Sequence, residues 1–379
     1  MNSDNDQRQD SKKGTLLSLL TNTLPPSLPN ADTLQPHVIL SSSVILSRNF
    51  INFELPSNKN FYKNANDEKT RKIARQIRDE FLGENAAKRH LRTSVPKKQL
   101  QALRARGDLI PEFLDQSSLD RSDQDAVILD DETLSFLINV NNHVDIIAQR
   151  NNAPAREILE NLITQLSKTK LEKFSLYDDD LGYVTTNWDQ LGNGLKMMVR
   201  LHTPALCIKR RTNQILKAAD TFDLTFDVIA EEREPVANTL TCVKTRNGRS
   251  KHPRQLAERL DSFAKKLVHH EIETRRVLLN APGQSELKDY IGRAKGVIKY
   301  AYKMDREEAL HLASTMWFAS EIGFAPHEAR KEAFTIIARG ANHDLAEEQT
   351  QTWMPSSRPA EKDAVARAAW VKKLLGKFC

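Results

Sequence analysis

Short apolar runs bounded by acidic turns alternate with long amphipathic stretches in this chain, and no regular strand–helix–strand rhythm connects them. Ala126-Val127-Ile128-Leu129 and Leu134 to Val140 have the length and flanking charges of strands. Tyr183 to Thr186, Met197 to Leu201, Phe222 to Ile229 and Thr239 to Lys244 repeat the signal, and the last two suit a hairpin. Helical spacing marks 64–83, where Ile73, Ile77, Phe81 and Leu82 recur between charges, and Arg156 to Leu166. It also marks 254–278, 287–302 and 305–321, with a shorter signal over Lys97 to Arg106. Asp305 is placed to cap its helix, with Glu307 and Glu308 in the first turn. This irregular alternation predicts an α+β fold rather than a doubly wound parallel one.

At 379 residues the chain can form one large and one small unit with a real core. Hydrophobic residues at 39% and charged residues at 28% predict that most of it folds. The net charge of +6 permits an anionic partner without demanding nucleic acid, which is not expected. Cys207, Cys242 and Cys379 are widely spaced and form no CxxC pair, so neither a disulfide framework nor a zinc ribbon is expected. No apolar run approaches the roughly 18 residues of a membrane span. The run Leu16 to Leu20 is too short for a signal-peptide core and soon meets Pro25-Pro26. A cytoplasmic location without membrane contact is the expectation.

The expected organisation is a flexible tail over 1–35, a small helical N-terminal domain over 36–115, and a catalytic-type domain over 116–335. A polar linker over 340–362, containing Pro355 and Pro359, and a final basic helix over 361–377 would complete 336–379.

Four blocks carry a resemblance. Residues 38–49 read Val-Ile-Leu-Ser-Ser-Ser-Val-Ile-Leu-Ser-Arg-Asn. Phe136 to Gln149 contains Asn-Val-Asn-Asn-His-Val-Asp. Tyr177 to Leu206 contains Leu181-Gly182-Tyr183-Val184-Thr185, Gly192-Asn193-Gly194-Leu195-Lys196 and Leu201-His202-Thr203-Pro204-Ala205-Leu206. Leu287 to Ala301 contains Ile291-Gly292-Arg293-Ala294-Lys295-Gly296-Val297-Ile298-Lys299-Tyr300-Ala301. In this order, over about 38–325, they resemble the bacterial protein-arginine kinases of the ATP:guanido phosphotransferase family. The resemblance implies a phosphagen-kinase, glutamine-synthetase-like catalytic fold: a helical N-terminal domain and an antiparallel sheet backed by helices, with ATP and Mg²⁺ held over the sheet. It also implies transfer of the γ-phosphoryl group to a guanidinium nitrogen. Such a transfer needs a carboxylate base, and arginines on the phosphates.

Those residues are substituted here. The family's first segment reads Val-Leu-Ser-Ser-Arg-Ile-Arg-Leu-Ala-Arg-Asn, so two phosphate arginines align with Ser43 and Ile45. The family's Asn-Glu-Glu-Asp-His aligns its base with Asn141, flanked by Val140 and Asn142, and the following arginine aligns with Asp145. An amide cannot serve as the base at neutral pH. The substrate-side cysteine aligns with Asn187, the turn arginine with Lys196, and a further phosphate arginine with Asp227. Ser41, Ser42, Arg48, His90 and Glu232 match family positions. With Lys196 and Arg200 they are the candidates for a vestigial nucleotide pocket. Arg48 suits a structural ion pair as well as a ligand, and His143 suits a core role better than a catalytic one. Near the C-terminus, Lys362-Asp363-Ala364-Val365-Ala366-Arg367 departs from the family's phosphoarginine-binding Arg-Asp-x-x-Arg-Ala by one position, about 100° on a helix. Two basic stretches, 85–107 and 244–254, suit solvated surface better than docking to an acidic partner. His269-His270-Glu271 reads as helix surface, and no metal site is expected.

Three functions follow from this reading. The first is a pseudokinase scaffold that binds an active paralogue, an adaptor or a quality-control factor, as a monomer or homodimer. The second is a working phosphotransferase that moves the ATP γ-phosphoryl group to arginine with a rewired site built from Lys196, Arg200, Arg48 and the 244–254 basics. In it Glu231, Glu232 or Asp145 would be the base. The third is an anion- or nucleic-acid-binding module using 85–107.

Overall fold

The computed structural model describes residues 38–53, 67–82, 91–92, 125–128, 134–139, 142–151, 153–228, 240–246, 252–338 and 359–379. The elements run β1 (Ile39–Arg48), α1 (Asp67–Leu82), β2 (Leu91–Arg92), β3 (Asp125–Ile128), β4 (Leu134–Ile138), β5 (Val144–Asn151), α2 (Ala155–Leu166), α3 (Leu171–Phe174), β6 (Tyr177–Asp178), β7 (Gly182–Tyr183) and β8 (Leu195–His202). They continue α4 (Pro204–Ile208), α5 (Thr212–Thr221), β9 (Leu224–Val228), β10 (Leu240–Thr245), α6 (Pro253–Leu279), α7 (Ala281–Tyr300), α8 (Arg306–Glu321), α9 (Glu328–Ala338) and α10 (Pro359–Leu375).

Eight strands form one sheet in the order β2-β3-β4-β5-β1-β8-β10-β9, and each neighbouring pair is antiparallel. Helices back one face, so the fold is α+β. β1 sits in the middle, hydrogen-bonded to β5 on one edge and β8 on the other. Its β-branched and apolar residues suit a strand enclosed on all sides. Val44 and Leu46 point to the helical face, where they join Ile146, Met197, Val199 and Phe136 in one core with Ile158 and Leu162 of α2 and Leu260 and Phe263 of α6. Each such side chain contributes roughly 1.5–3 kcal/mol by leaving water. β8 alternates between buried and half-buried positions, which marks its second face as the more open one. α1 closes the β4 side, with Phe81 edge-on to Phe136 at 5.8 Å.

β1 and β2 lie within the stretch expected to form a helical N-terminal domain, yet both are strands of this sheet. The boundary at 115 therefore has no counterpart in the strand order. Among the described residues, α1 is the helix of that stretch. The expected 97–106 helix and most of the 340–362 linker lie outside the described residues. Asp305 caps α8 as its position suggests, accepting the Glu308 N–H at 2.7 Å. The expected Tyr183–Thr186 strand stops at Tyr183, because Thr185 and Thr186 bond to Asn187 and Asn142 instead.

A second core lies between α7, α8, α9 and α10, around Trp317, Phe318, Phe334, Ile337 and Val371. Buried charges join it to the sheet. Glu271 of α6 accepts the Ala205 and Leu206 N–H groups at the start of α4, both at 3.0 Å. Arg275 bridges Glu271 and Glu321 at 2.8 Å each, and Arg330 approaches Glu321 at 3.4 Å. Trp317 Nε1 donates to the same Glu321 at 2.8 Å. His202, the last residue of β8, stacks on Trp317 with ring centroids 3.8 Å apart and meets Ser314 Oγ at 2.8 Å. Glu271, expected on the helix surface with His269 and His270, is thus fully buried, while both histidines are exposed.

Burial, with the Arg275 and Arg330 charges beside it, holds the His202 pKa well below its ordinary 6.5. The unfolded chain therefore takes up a proton below about pH 6.5 that the folded chain excludes, and stability falls as pH drops through that value. We expect the unfolding free energy from urea titrations to fall between about pH 7.5 and about pH 5.5, by no more than about 1.4 kcal/mol per pH unit from this one proton. His202→Gln should flatten that slope in paired urea titrations.

Candidate active site

The register of β1 collects the substituted family positions on the sheet's more open face. Ser41 lies between Asn151 and Arg200, with Cys242 beyond. Ser43 lies between Gln149 and Met198, with Lys244 beyond. Ile45 lies between Ile147 and Lys196, and Ser47 lies opposite Asp145. Side chains alternate along a strand, so these rungs share one face. Ser42 falls on the other face, between Arg150 and Val199. Ser41 and Ser42 are both buried, and Ser41 Oγ has no hydrogen-bond partner among the described residues. Ser41, Lys196 and Arg200 are therefore brought together, whereas Ser42 and Arg48 are not part of that face.

Arg48 is buried in the turn that leads into β8. Its Nη1 donates to the carbonyls of Ser47 at 2.9 Å and Asn193 at 3.1 Å, and its guanidinium lies 3.5 Å from the centre of the Tyr183 ring. Burial lowers its pKa to about 10, against the pull of Tyr183 and Glu172 toward the charged form. Gly194 permits this packing, with φ of +67° and a missing Cβ that would collide with Arg48 Nη1 and the Ser47 carbonyl. Arg48 is thus a fastener between β1 and the 190–194 turn.

A closed polar network occupies the end of the face. Ser47 Oγ donates to Asp145 Oδ1 at 2.5 Å, and Asn142 Nδ2 donates to the same oxygen at 2.8 Å. Gln190 Nε2 donates to Ser47 Oγ at 2.9 Å. Asn142 Oδ1 accepts from Asn49 Nδ2 and from the Thr186 N–H, each at 2.9 Å. Asn49 Oδ1 accepts the His143 N–H at 2.9 Å. Asn187 Nδ2 reaches Gln190 Oε1 at 3.3 Å. The Asp145 carboxylate, which stands where the family has an arginine, accepts from two neutral donors, Ser47 and Asn142, and Gln190 braces the first of them. His143 is fully buried, accepts the Phe50 N–H on Nδ1 at 2.9 Å and stacks on the Phe50 ring at 5.1 Å. Its role is in the core.

Lys196 pairs with Asp189 at 2.9 Å, both partly exposed. Asn141, His90, Glu231 and Glu232 lie outside the described residues. Asp227 is placed by backbone register opposite Cys242. In the C-terminal helix, Arg367 Nη1 donates to the Met304 carbonyl at 3.1 Å, while Asp363 is exposed. Among the described residues no group of three or more His, Cys, Asp or Glu is placed to hold a metal ion. Sequence reasoning missed Ser47, Asn49 and Gln190. The register of β1 against β5 was the signal that would have paired Ser47 with Asp145.

The family model for the ATP:guanido phosphotransferase C-terminal catalytic domain matches residues 68–274, more than half of the chain. The chain belongs to the ATP:guanido phosphotransferase family. The model for the protein-arginine kinase McsB C-terminal domain matches residues 284–378. A protein-arginine kinase from Staphylococcus saprophyticus is 28% identical over 202 residues, covering 53% of this chain and 60% of that protein. This chain thus aligns with about three fifths of that relative's length. A protein-arginine kinase from Caldanaerobacter subterraneus is 24% identical over 345 residues, covering 90% of this chain and 97% of that protein. The crystal structure of lombricine kinase, at 16% identity, matches with a TM-score of 0.51 over 68% of this chain and 71% of that one, which shows a shared fold. The helix-backed antiparallel sheet is therefore the family's.

The fastening role of Arg48 gives a direct test. Gly194→Ala should destabilise the fold by about 1–3 kcal/mol, through strained backbone and the collision with Arg48. A lowered urea midpoint at unchanged m-value would register it.

Proposed function

We propose that this protein-arginine-kinase-like chain no longer transfers phosphoryl groups and acts as a binding or regulatory scaffold. The observation that carries this reading is the buried Ser47–Asp145–Asn142 network. A carboxylate fixed at a phosphate-arginine position repels a phosphate rather than gripping it. Ser43 and Ile45 add the loss of two forked guanidinium contacts, each worth roughly 1.5–3 kcal/mol. Arg48, which matches a family position, is engaged with the Asn193 turn and Tyr183. ATP and Mg²⁺ therefore do not fit the open face by the family's route. Nor do the residues present supply a base at Asn141. On this reading the chain binds a protein partner, such as an active paralogue, an adaptor or a quality-control factor, in the cytoplasm.

One observation favours a second reading, an active phosphotransferase with relocated phosphate ligands. Lys196, Arg200 and Lys244 share the open face on neighbouring strands β8 and β10. They could hold an anion one strand away from the lost arginines.

Isothermal titration of MgATP into the full chain separates the two. The scaffold reading expects no saturable heat up to millimolar nucleotide, and no phosphoarginine above a no-enzyme control. Micromolar binding that is lost on Arg200→Ala, together with phosphoarginine formation, would establish the second reading.

A further inference from the structure

The positive charge of this chain is gathered on two helices that lie against one another, α7 and α10. The Met304 N–H, just past α7, bonds to the Ala364 carbonyl of α10 at 3.0 Å. At the other end of α10, burial pushes the Cys379 thiol pKa up while the Lys295 and Lys299 charges of α7 pull it back. Residues 290–306 hold Arg293, Lys295, Lys299, Lys303 and Arg306 against Asp305 alone. Residues 364–379 hold Arg367, Lys372, Lys373 and Lys377 and no acid. These adjoining segments carry a net +8 in a chain of net +6, so the rest of the chain is slightly acidic and the mild overall charge conceals a strong local one. Part of it is used internally: Arg293 pairs with Asp289, Lys377 with Glu332, and Lys295 donates to the Phe324 carbonyl. Lys299 and Lys303 are exposed where the two segments meet.

Two tyrosines stand between those lysines. Tyr300 is 77% exposed and Tyr302 is 61% exposed. α7 ends at Tyr300, and the backbone becomes extended at Ala301, with φ of −62° and ψ of 132°. The short connection is fastened on both sides. The Ala301 N–H bonds to the Val297 carbonyl at 2.8 Å, the Met304 carbonyl accepts Arg367 Nη1 at 3.1 Å, and the Met304 side chain is buried. Asp305 then caps α8. Lys299 Nζ lies 5.9 Å from the centre of the Tyr300 ring. Among the described residues of 281–379, the exposed large hydrophobic side chains are these two tyrosines, so this surface offers no aliphatic anchor to a bilayer.

We propose that the Tyr300–Tyr302 connection, with Lys299 and Lys303 beside it and the basic α10 behind it, binds single-stranded nucleic acid. Phosphates are drawn to a basic surface, and unpaired bases stack on flat aromatic faces held in place next to it. An acidic peptide would match the lysines and leave both rings without a role, and a duplex keeps its base faces inside its own stack. The surface uses none of the residues of the sheet's open face, so the inference stands apart from whether the chain transfers phosphoryl groups.

The test is fluorescence anisotropy with a fluorescein-labelled oligouridylate of about 12 nucleotides, titrated with the full chain at several salt concentrations. A hairpin duplex of similar length, a poly-glutamate peptide and vesicles of anionic phospholipid serve as comparisons. We expect saturable binding of the single strand that weakens linearly in log salt, and weaker binding of the other three. Tyr300→Ala and Tyr302→Ala should each weaken single-strand binding roughly tenfold, while Tyr300→Phe and Tyr302→Phe, which keep the ring, stay near the native affinity. The double change Lys299→Gln with Lys303→Gln should lower the salt slope by about 1–2. All four side chains are exposed, so thermal melts of the variants should match the native protein. No binding of the single strand at low salt would overturn the proposal, as would binding that both alanine variants leave unchanged. Tighter binding of poly-glutamate or of vesicles would also overturn it, making an acidic protein or a membrane the occupant. A concentration-dependent dimer in sedimentation that Tyr300→Ala abolishes would do the same in favour of a second copy.

Discussion

The double pairing of β1 is the constraint on which the rest depends. A strand hydrogen-bonded along both edges cannot slip by one residue without moving its apolar set to the wrong face. Val44 and Leu46 must meet the core under α2 and α6, so Ser43, Ile45 and Ser47 must meet the open face. The same register lines up Asp145 with Ser47 and Lys196 with Ile45. The chemistry available at the site is therefore decided by a handful of side chains whose positions the core dictates.

Two parts of the molecule share one charge-balanced joint. Glu271 and Arg275 come from the helix that backs the sheet, and Glu321 and Arg330 from the C-terminal bundle. Burying such charges is tolerable only when each finds partners, and breaking one leaves another exposed to a low-dielectric interior. Glu271 also holds the first N–H groups of α4, and His202 ends β8 against Trp317. The strand carrying Lys196 and Arg200 is thus anchored directly in the bundle.

Much of this was legible in the chain, for definable reasons. The helices at 253–279 and 306–321 repeat their apolar residues at helical spacing, and the Asp305 cap acts within one turn. The hairpin of β9 and β10 was readable from adjacent apolar runs. β1 was recognised as a motif and not as a strand of the main sheet, because burial on both faces erases alternation. α9 escaped notice because alanines make up much of its buried face, together with Phe334 and Ile337. Arg48 was ambiguous in sequence, since a guanidinium that holds a turn and one that holds a phosphate occupy the same letter. The Ser47 network was out of reach, because its bonds join residues 98 and 143 positions apart.

The enclosure of β1 also sets what can be changed within it. Positions 43 and 45 are now 3% and 2% exposed, filled by a hydroxymethyl group and a close-packed isoleucine. Placing arginine at either alone would thrust a long cation into a nearly closed position while Asp145 still stood bonded to Ser47. Each such change would cost stability on its own. Residues 43 and 45 are thus held by packing as firmly as the core, so a change of chemistry in this fold is less disruptive at the half-buried side chains of β8 than on its central strand.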